Sequence, residues 1–286
     1  MPALWVVDVD KPAILRIGLE TGQIENELTG VRSEAPAGFA VGDGYLWTLS
    51  VKRREVLRID PETGRAVTFL RTPGDAGRHL AVEGDDVWVA GSSTKGTVIR
   101  AANTSGEIEA SVDTGARIDG LVAAFGAGWA AQPSQRRVVR VDPSGAVAAY
   151  VPVPHSVGRL AAGEGAVWVL GTDDAGAGAL SKIDPAQNAV VATVPVSGGD
   201  GWLAAGSGFV WVTDASESLI TRVSPADPAQ RAEFRTVLRP EQVAAGQGAV
   251  WVVTRFGLSI VRVDVETVEI IGAVNPDAVL EFPVIG

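Results

Sequence analysis

Apolar residues along this chain come in short runs, broken at close intervals by glycine, aspartate or proline, and no stretch shows the 3.6-residue period of an amphipathic helix. The pattern predicts short strands joined by tight turns. Within it, tryptophans stand at 5, 47, 88, 129, 168, 211 and 251, separated by 42, 41, 41, 39, 43 and 40 residues, each inside a similar segment. The clearest copies read LAAGEGAVWV from Leu160, LAAGSGFVWV from Leu203 and VAAGQGAVWV from Val243. Seven repeats of about 40 residues, each with room for four short strands, predict an all-β, seven-bladed β-propeller of antiparallel blades, a single domain over residues 1–286.

Blade 5 gives the clearest view of the unit, with strands predicted at 160–162, 166–170, 180–183 and 189–196. The first strand is mostly alanine, as suits an axis where seven backbones crowd together. The second carries the tryptophan, whose large apolar area can fill the wedge between blades. Strands one and two join through Gly-x-Gly (Gly42-Asp43-Gly44, Gly163-Glu164-Gly165, Gly246-Gln247-Gly248), where glycine allows the positive φ of a tight turn. Each pair leads into a strand and not a helix, which argues against a phosphate-binding loop. Strands three and four turn on segments such as Asp60-Pro61-Glu62-Thr63-Gly64. A basic residue recurs on the third strand of every blade, at Arg16, Arg58, Arg100, Arg140, Lys182, Arg222 and Arg262, and is expected to support the fold by pairing with turn carboxylates or carbonyls.

Blade 1 begins directly at its tryptophan strand and lacks an inner one. In blades 2, 5, 6 and 7 a glycine (Gly42, Gly163, Gly206, Gly246) lies five residues before the tryptophan, and joining Gly286 to Met1 places Gly286 five before Trp5. Residues 281–286 are therefore expected to supply the missing inner strand and close the ring, removing exposed sheet edges.

The absence of cysteine excludes disulfides and thiolate metal sites. A net charge of −10 argues against nucleic acid, whose phosphates need a positive face. No segment approaches the ~20 apolar residues of a spanning helix, so no membrane role is expected. With no leader in view the chain reads as cytoplasmic and monomeric; an extracellular protein trimmed of its leader would read the same.

The pattern Ala-x-Gly-x-Gly-x-Val-Trp-Val, followed by Arg-Ile/Val-Asp-Pro-x-Thr/Ser-Gly, resembles the YVTN and virginiamycin-B-lyase-like seven-bladed propellers along the whole chain. The resemblance implies the fold and constrains function less, because the family includes streptogramin-opening lyases, sensor-like domains and many proteins of unassigned role. In the lyases, His and Glu residues sit where the chain enters the inner strands of the last blades. Those places here hold Gly201 and Glu241, with no histidine, so the lyase's catalytic set does not carry over.

Seven copies also act as an internal alignment. In such propellers the residues eleven to nine before each tryptophan, at the mouth of the central channel, are commonly Pro-x-Gly, and blade 2 keeps Pro36-Ala37-Gly38. The others read Gly77-Arg78-His79, Ile118-Asp119-Gly120, Val157-Gly158-Arg159, Asp200-Gly201-Trp202, Pro240-Glu241-Gln242 and Leu280-Glu281-Phe282. Charged and aromatic residues converging on one axis are not needed by the fold, whereas small-molecule sites are built this way. The alternative is a wet channel mouth where opposite charges merely neutralise one another. On the ligand-site reading Arg78 and Arg159 hold a carboxylate or phosphate, Trp202 and Phe282 stack on a ring and Gln242 adds a polar contact. His79 transfers protons with Glu281, Glu241 or Asp119 as its partner. No cofactor is expected, although Mg²⁺ or Ca²⁺ held by Asp119, Glu241 and Glu281 stays open. The loops after the tryptophan strands add Asp8, Asp10, Lys52, Arg53, Arg54, Asp173, Asp174, Asp214 and Arg255, expected to be mostly solvated. No Ser-His-Asp arrangement assembles, since Ser156 is only a sequence neighbour of His155. Two function classes follow: an enzyme doing acid–base chemistry (elimination, cyclisation or ring opening) on a small carboxylated or aromatic metabolite, or a non-catalytic ligand-sensing or protein-interaction module.

Overall fold

The computed structural model describes residues 3–8, 11, 13–29, 38–73, 77–236, 239–254, 259–275 and 280–285, without the side chains of 280–282. Pro36, Ala37, Asp10, Arg255 and Gly286 of the sequence reading lie outside these. Seven four-stranded antiparallel sheets form the ring. In blades 2 to 7 the strands run from inner to outer in chain order; blade 5, for example, uses Arg159–Gly163, Ala166–Thr172, Gly178–Asp184 and Ala189–Pro195. Blade 1 takes its inner strand, Leu280–Ile285, from the C-terminus, with Leu4 opposite Ile285, Trp5 opposite Val284 and Val7 opposite Glu281. The expected closure is present. Inner strands touch their neighbours all the way round, including Leu280–Ile285 against Gly38–Gly42.

The core is distributed over the blade junctions. Trp168 packs with Leu203, Val210 and Val212 of blade 6, Trp211 with Val243 and Val250 of blade 7, and Trp251 with Leu4 and Val6 of blade 1. The other four tryptophans do the same in turn. All seven are buried, and losing one such ring costs roughly 3–5 kcal/mol.

The recurrent glycine five before the tryptophan has two duties. Its carbonyl accepts the indole N–H, as from Trp47 to Gly42 (3.0 Å) and from Trp211 to Gly206 (3.2 Å). Its missing side chain lets the next blade close in, since a Cβ on Gly206 would strike the Ala245 carbonyl. The positive φ expected of this turn is present at the second glycine and extends to the middle residue, as at Gly44 (74°) and Asp43 (51°), the signature of a two-residue type I′ hairpin.

The third-strand basic residue sits directly opposite the tryptophan in each blade, for example Arg140 opposite Trp129. It reaches the strand three–four turn of the next blade. Arg58 Nη1 donates to Asn103 O, Arg140 Nη1 to Pro185 O and Asn188 Oδ1, Lys182 Nζ to Pro225 O, and Arg222 Nη1 to Val265 O and Glu266 O. Arg100 instead pairs with Asp86 and Glu109 in its own blade, and Arg16 with Glu25 in its own. The row is structural, as expected.

Candidate functional site

Where the chain enters the inner strands, the ladder with the tryptophan strand runs slightly past its regular end. Arg78 N donates to Ala90 O (2.8 Å), Asp119 N to Ala131 O (3.0 Å), Gly158 N to Leu170 O (2.8 Å), and Thr213 N to Trp202 O (3.0 Å). These bonds hold the channel-mouth residues at fixed heights round the axis, so side chains scattered over more than a hundred residues converge. His79, Asp119, Arg159 and Trp202, from blades 3 to 6, line one cavity of about 290 Å³, with Phe39, Leu80 and other leucines supplying its apolar surface. A space of that size suits a small metabolite.

Burial lowers the His79 pKa below its usual value. The Asp119 carboxylate and a hydrogen bond with the Ile118 backbone oppose the shift, and the charges of Arg78 and Arg117 reinforce it. The imidazole is therefore neutral at pH 7 and suited to accept a proton. Asp119 is held by Arg117, Nε to Oδ1 at 2.6 Å. Arg117 lies two residues before Asp119, outside the window that the repeat singled out, and the sequence reading missed it.

Arg159 lies over the Trp202 ring, 4.1 Å from guanidinium carbon to ring centroid. Among the described residues its guanidinium makes no hydrogen bond or ion pair. The indole face expected to stack on a ligand ring is thus occupied by Arg159, whose hydrogen-bond donors remain available to an anion. Trp202 also packs against the hydrophobic cluster between blades 6 and 7, so one ring both lines the cavity and anchors the wall.

Other candidates stand elsewhere. Arg78 is exposed and is not among the residues lining this cavity. Glu241 lies at a bulge between Pro240 and Gln242 and lines a neighbouring cavity, also walled by Trp202. Gln242 is buried in its inner strand, opposite Val253. Glu281 and Phe282 lie on the closing strand with side chains outside the description. No group of three histidine or acidic side chains able to hold a metal occurs among the described residues, and Asp119 and Glu241 face different cavities.

Of the loop charges expected to be mostly solvated, Lys52, Arg53, Arg54, Asp173 and Asp174 are exposed, while Asp8 and Asp214 are buried. Asp8 receives Lys11 N, and Asp214 receives Ser197 Oγ, Ser216 N and Oγ, and Glu217 N. They cap their own turns. His155 is also buried, its Nδ1 2.6 Å from Ser156 O and its Nε2 2.8 Å from Ser181 Oγ, inside the blade 5 packing and away from the mouth. Both ring nitrogens are engaged, which gives it a structural role.

No family model matches the chain, and no curated protein matches it by sequence. Solved structures do match in fold. Virginiamycin B lyase from Staphylococcus aureus superposes with a TM-score of 0.66 at 17% identity, covering 85% of this chain and 84% of the lyase. A streptogramin B lyase gives 0.69 at 15% identity, over 96% and 88% of the two chains. A dihydro-heme d1 dehydrogenase in complex with DHE gives 0.66 at 15% identity, over 96% of this chain and 63% of that one. The resemblance read from the repeat therefore holds for the fold. No helix among the described residues is long and apolar enough to cross a membrane.

Proposed function

We propose that the channel mouth binds a small carboxylated or aromatic molecule and that His79 performs acid–base chemistry on it, of the elimination, cyclisation or ring-opening kind. The observation that carries this reading is the Arg159 guanidinium, unpaired among the described residues and stacked on Trp202, in the same cavity as a histidine kept neutral by burial. An arginine in a preformed concavity with no carboxylate of its own is complementary to an anion, and the indole beneath it restricts its rotamers before the ligand arrives.

In this proposal Arg159 takes the carboxylate and leaves the outward face of its guanidinium for an aromatic ring. His79 removes a proton, and Asp119 stabilises the imidazolium that forms. Glu241, across the Trp202 wall, is the second acid or base for a ligand that extends past the indole. Arg78, exposed at the head of blade 3, stands beside His79 as a further cation for an incoming anion. The closed ring works as a monomer.

A second reading, a binding module without chemistry, is favoured by one observation. Arg117 already neutralises Asp119 at 2.6 Å, which weakens the carboxylate's influence on His79. A panel of small carboxylates screened by thermal shift, then by crystallography, tests the common part of both readings. Density at Arg159 supports it, and a panel that leaves both the melting temperature and the cavity unchanged counts against it. Turnover of a bound compound that is lost in His79→Gln separates enzyme from sensor.

A further inference from the structure

Trp202 walls a second cavity of about 260 Å³, in the cleft between blades 6 and 7, whose other walls include Asp200, Ser216, Arg239 and Glu241. The two spaces share Trp202 as a lining residue, and the framework around it is tied together. Trp202 N donates to Thr213 Oγ1 (3.1 Å), and the same hydroxyl donates to Glu241 O (2.6 Å). One threonine thus fixes the heads of blades 6 and 7 relative to each other, and the cleft is preformed.

The two spaces differ in charge. The first holds Arg159, whose guanidinium makes no ion pair among the described residues, and Asp119, which is paired with Arg117. The second carries the carboxylates of Asp200 and Glu241 against a single guanidinium, Arg239, whose Nε donates to Ala215 O (3.0 Å). Asp173 and Asp214 are engaged as turn caps, whereas the exposed Asp200 carboxylate accepts no hydrogen bond among the described residues. A guanidinium and a carboxylate, each unpaired among the described residues, therefore line adjoining cavities that share Trp202.

We infer that the two cavities form one composite site for an elongated zwitterionic molecule, its carboxylate at Arg159 and its ammonium group at Asp200 and Glu241, the two halves bridging Trp202. This rests on the reading of the mouth as a small-molecule site and names the class of ligand. Charge complementarity at both ends selects against simple acids and simple amines, each of which leaves one cavity unmatched.

The test uses isothermal titration of the full chain with benzoate, benzylamine, 4-(aminomethyl)benzoate and 4-(3-aminopropyl)benzoate. One of the aminoalkylbenzoates is expected to bind at least about tenfold more tightly than benzoate, the gain of a second linked contact. Asp200→Asn and Glu241→Gln, checked for folding by circular dichroism, are expected to bring that ratio towards one. Arg159→Ala should weaken benzoate and aminoalkylbenzoates alike. If benzoate binds and Arg159→Ala abolishes it while no aminoalkylbenzoate binds better, the composite site is wrong and the anion site stands. Failure of every probe to bind wild-type protein overturns the mouth reading together with the composite site.

Discussion

Deletion of residues 280–286 removes the strand that closes the ring, and its cost can be worked from the packing. Consecutive residues of that strand serve different junctions. Val284 packs with Trp5 and Leu46 between blades 1 and 2, while Ile285 packs with Trp251 and Leu4 between blades 7 and 1. Removing both side chains forfeits about 1.5–3 kcal/mol each if fully buried, less here because they are partly exposed. The backbone bonds with Ala3–Asp8 contribute about 0.5–1.5 kcal/mol apiece. Together these reach roughly 5 kcal/mol, the low end of the total stability of a native protein, and the deletion also leaves the inner edge of blade 1 open to pairing with other chains. The truncated chain is expected to unfold at much lower urea concentration and to elute as oligomers or aggregate. Tryptophan fluorescence against urea and light scattering after size exclusion are the assays. Single substitutions add a positional check: Val284→Ala should disturb the junction at Trp5, and Ile285→Ala the one at Trp251. A truncated protein that stays monomeric with an unchanged urea midpoint would refute this account of closure.

Arg140→Ala removes bonds to Pro185 O and Asn188 Oδ1 and a guanidinium 5.2 Å from the Trp129 ring centroid, and is expected to cost about 1–3 kcal/mol in urea unfolding; a change under a few tenths would mean that the interblade row is decorative. Burial holds His155 below its usual pKa, against a hydrogen bond to Ser156, so protonation opposes folding. Its contribution is complete above the unfolded value of about 6.5 and fades as pH falls from there towards the folded pKa, so urea midpoints should drop between pH 7.5 and 5, and His155→Gln should flatten that slope. Once a substrate is in hand, His79→Gln should lower turnover by roughly a hundredfold or more, and wild-type activity should decline only below about pH 6.5, because the neutral imidazole is the active form; equal turnover in wild type and variant would assign the protein to the binding class.

The fold was legible because the repeat states it seven times, so that no single ambiguous strand had to be decided alone. Even the closure could be read, since register is counted in residues and Gly286 falls in step with Trp5. The site was legible only in part. Spacing located the mouth and brought out His79, Asp119, Arg159 and Trp202. It could not reveal that Arg159 lies over Trp202 or that Glu241 lines a different cavity from the others, because these depend on side-chain directions across neighbouring blades. Nor could it single out Asp8 and Asp214 as the buried members of a mostly solvated set, because a carboxylate in a polar loop resembles a solvated one until the turn folds back upon it.

The hydrogen bonds from Arg58, Arg140, Lys182 and Arg222 all run from one blade to the following one, and each includes a main-chain carbonyl as acceptor. Because a carbonyl is present whatever residue bears it, the receiving turn can change its side chains freely without losing the joint. Blades 2, 4, 5 and 6 therefore each carry their own connector, which asks of the neighbour a main-chain acceptor. Neighbouring blades can then diverge in the sequence of their outer turns while the joint between them keeps its geometry.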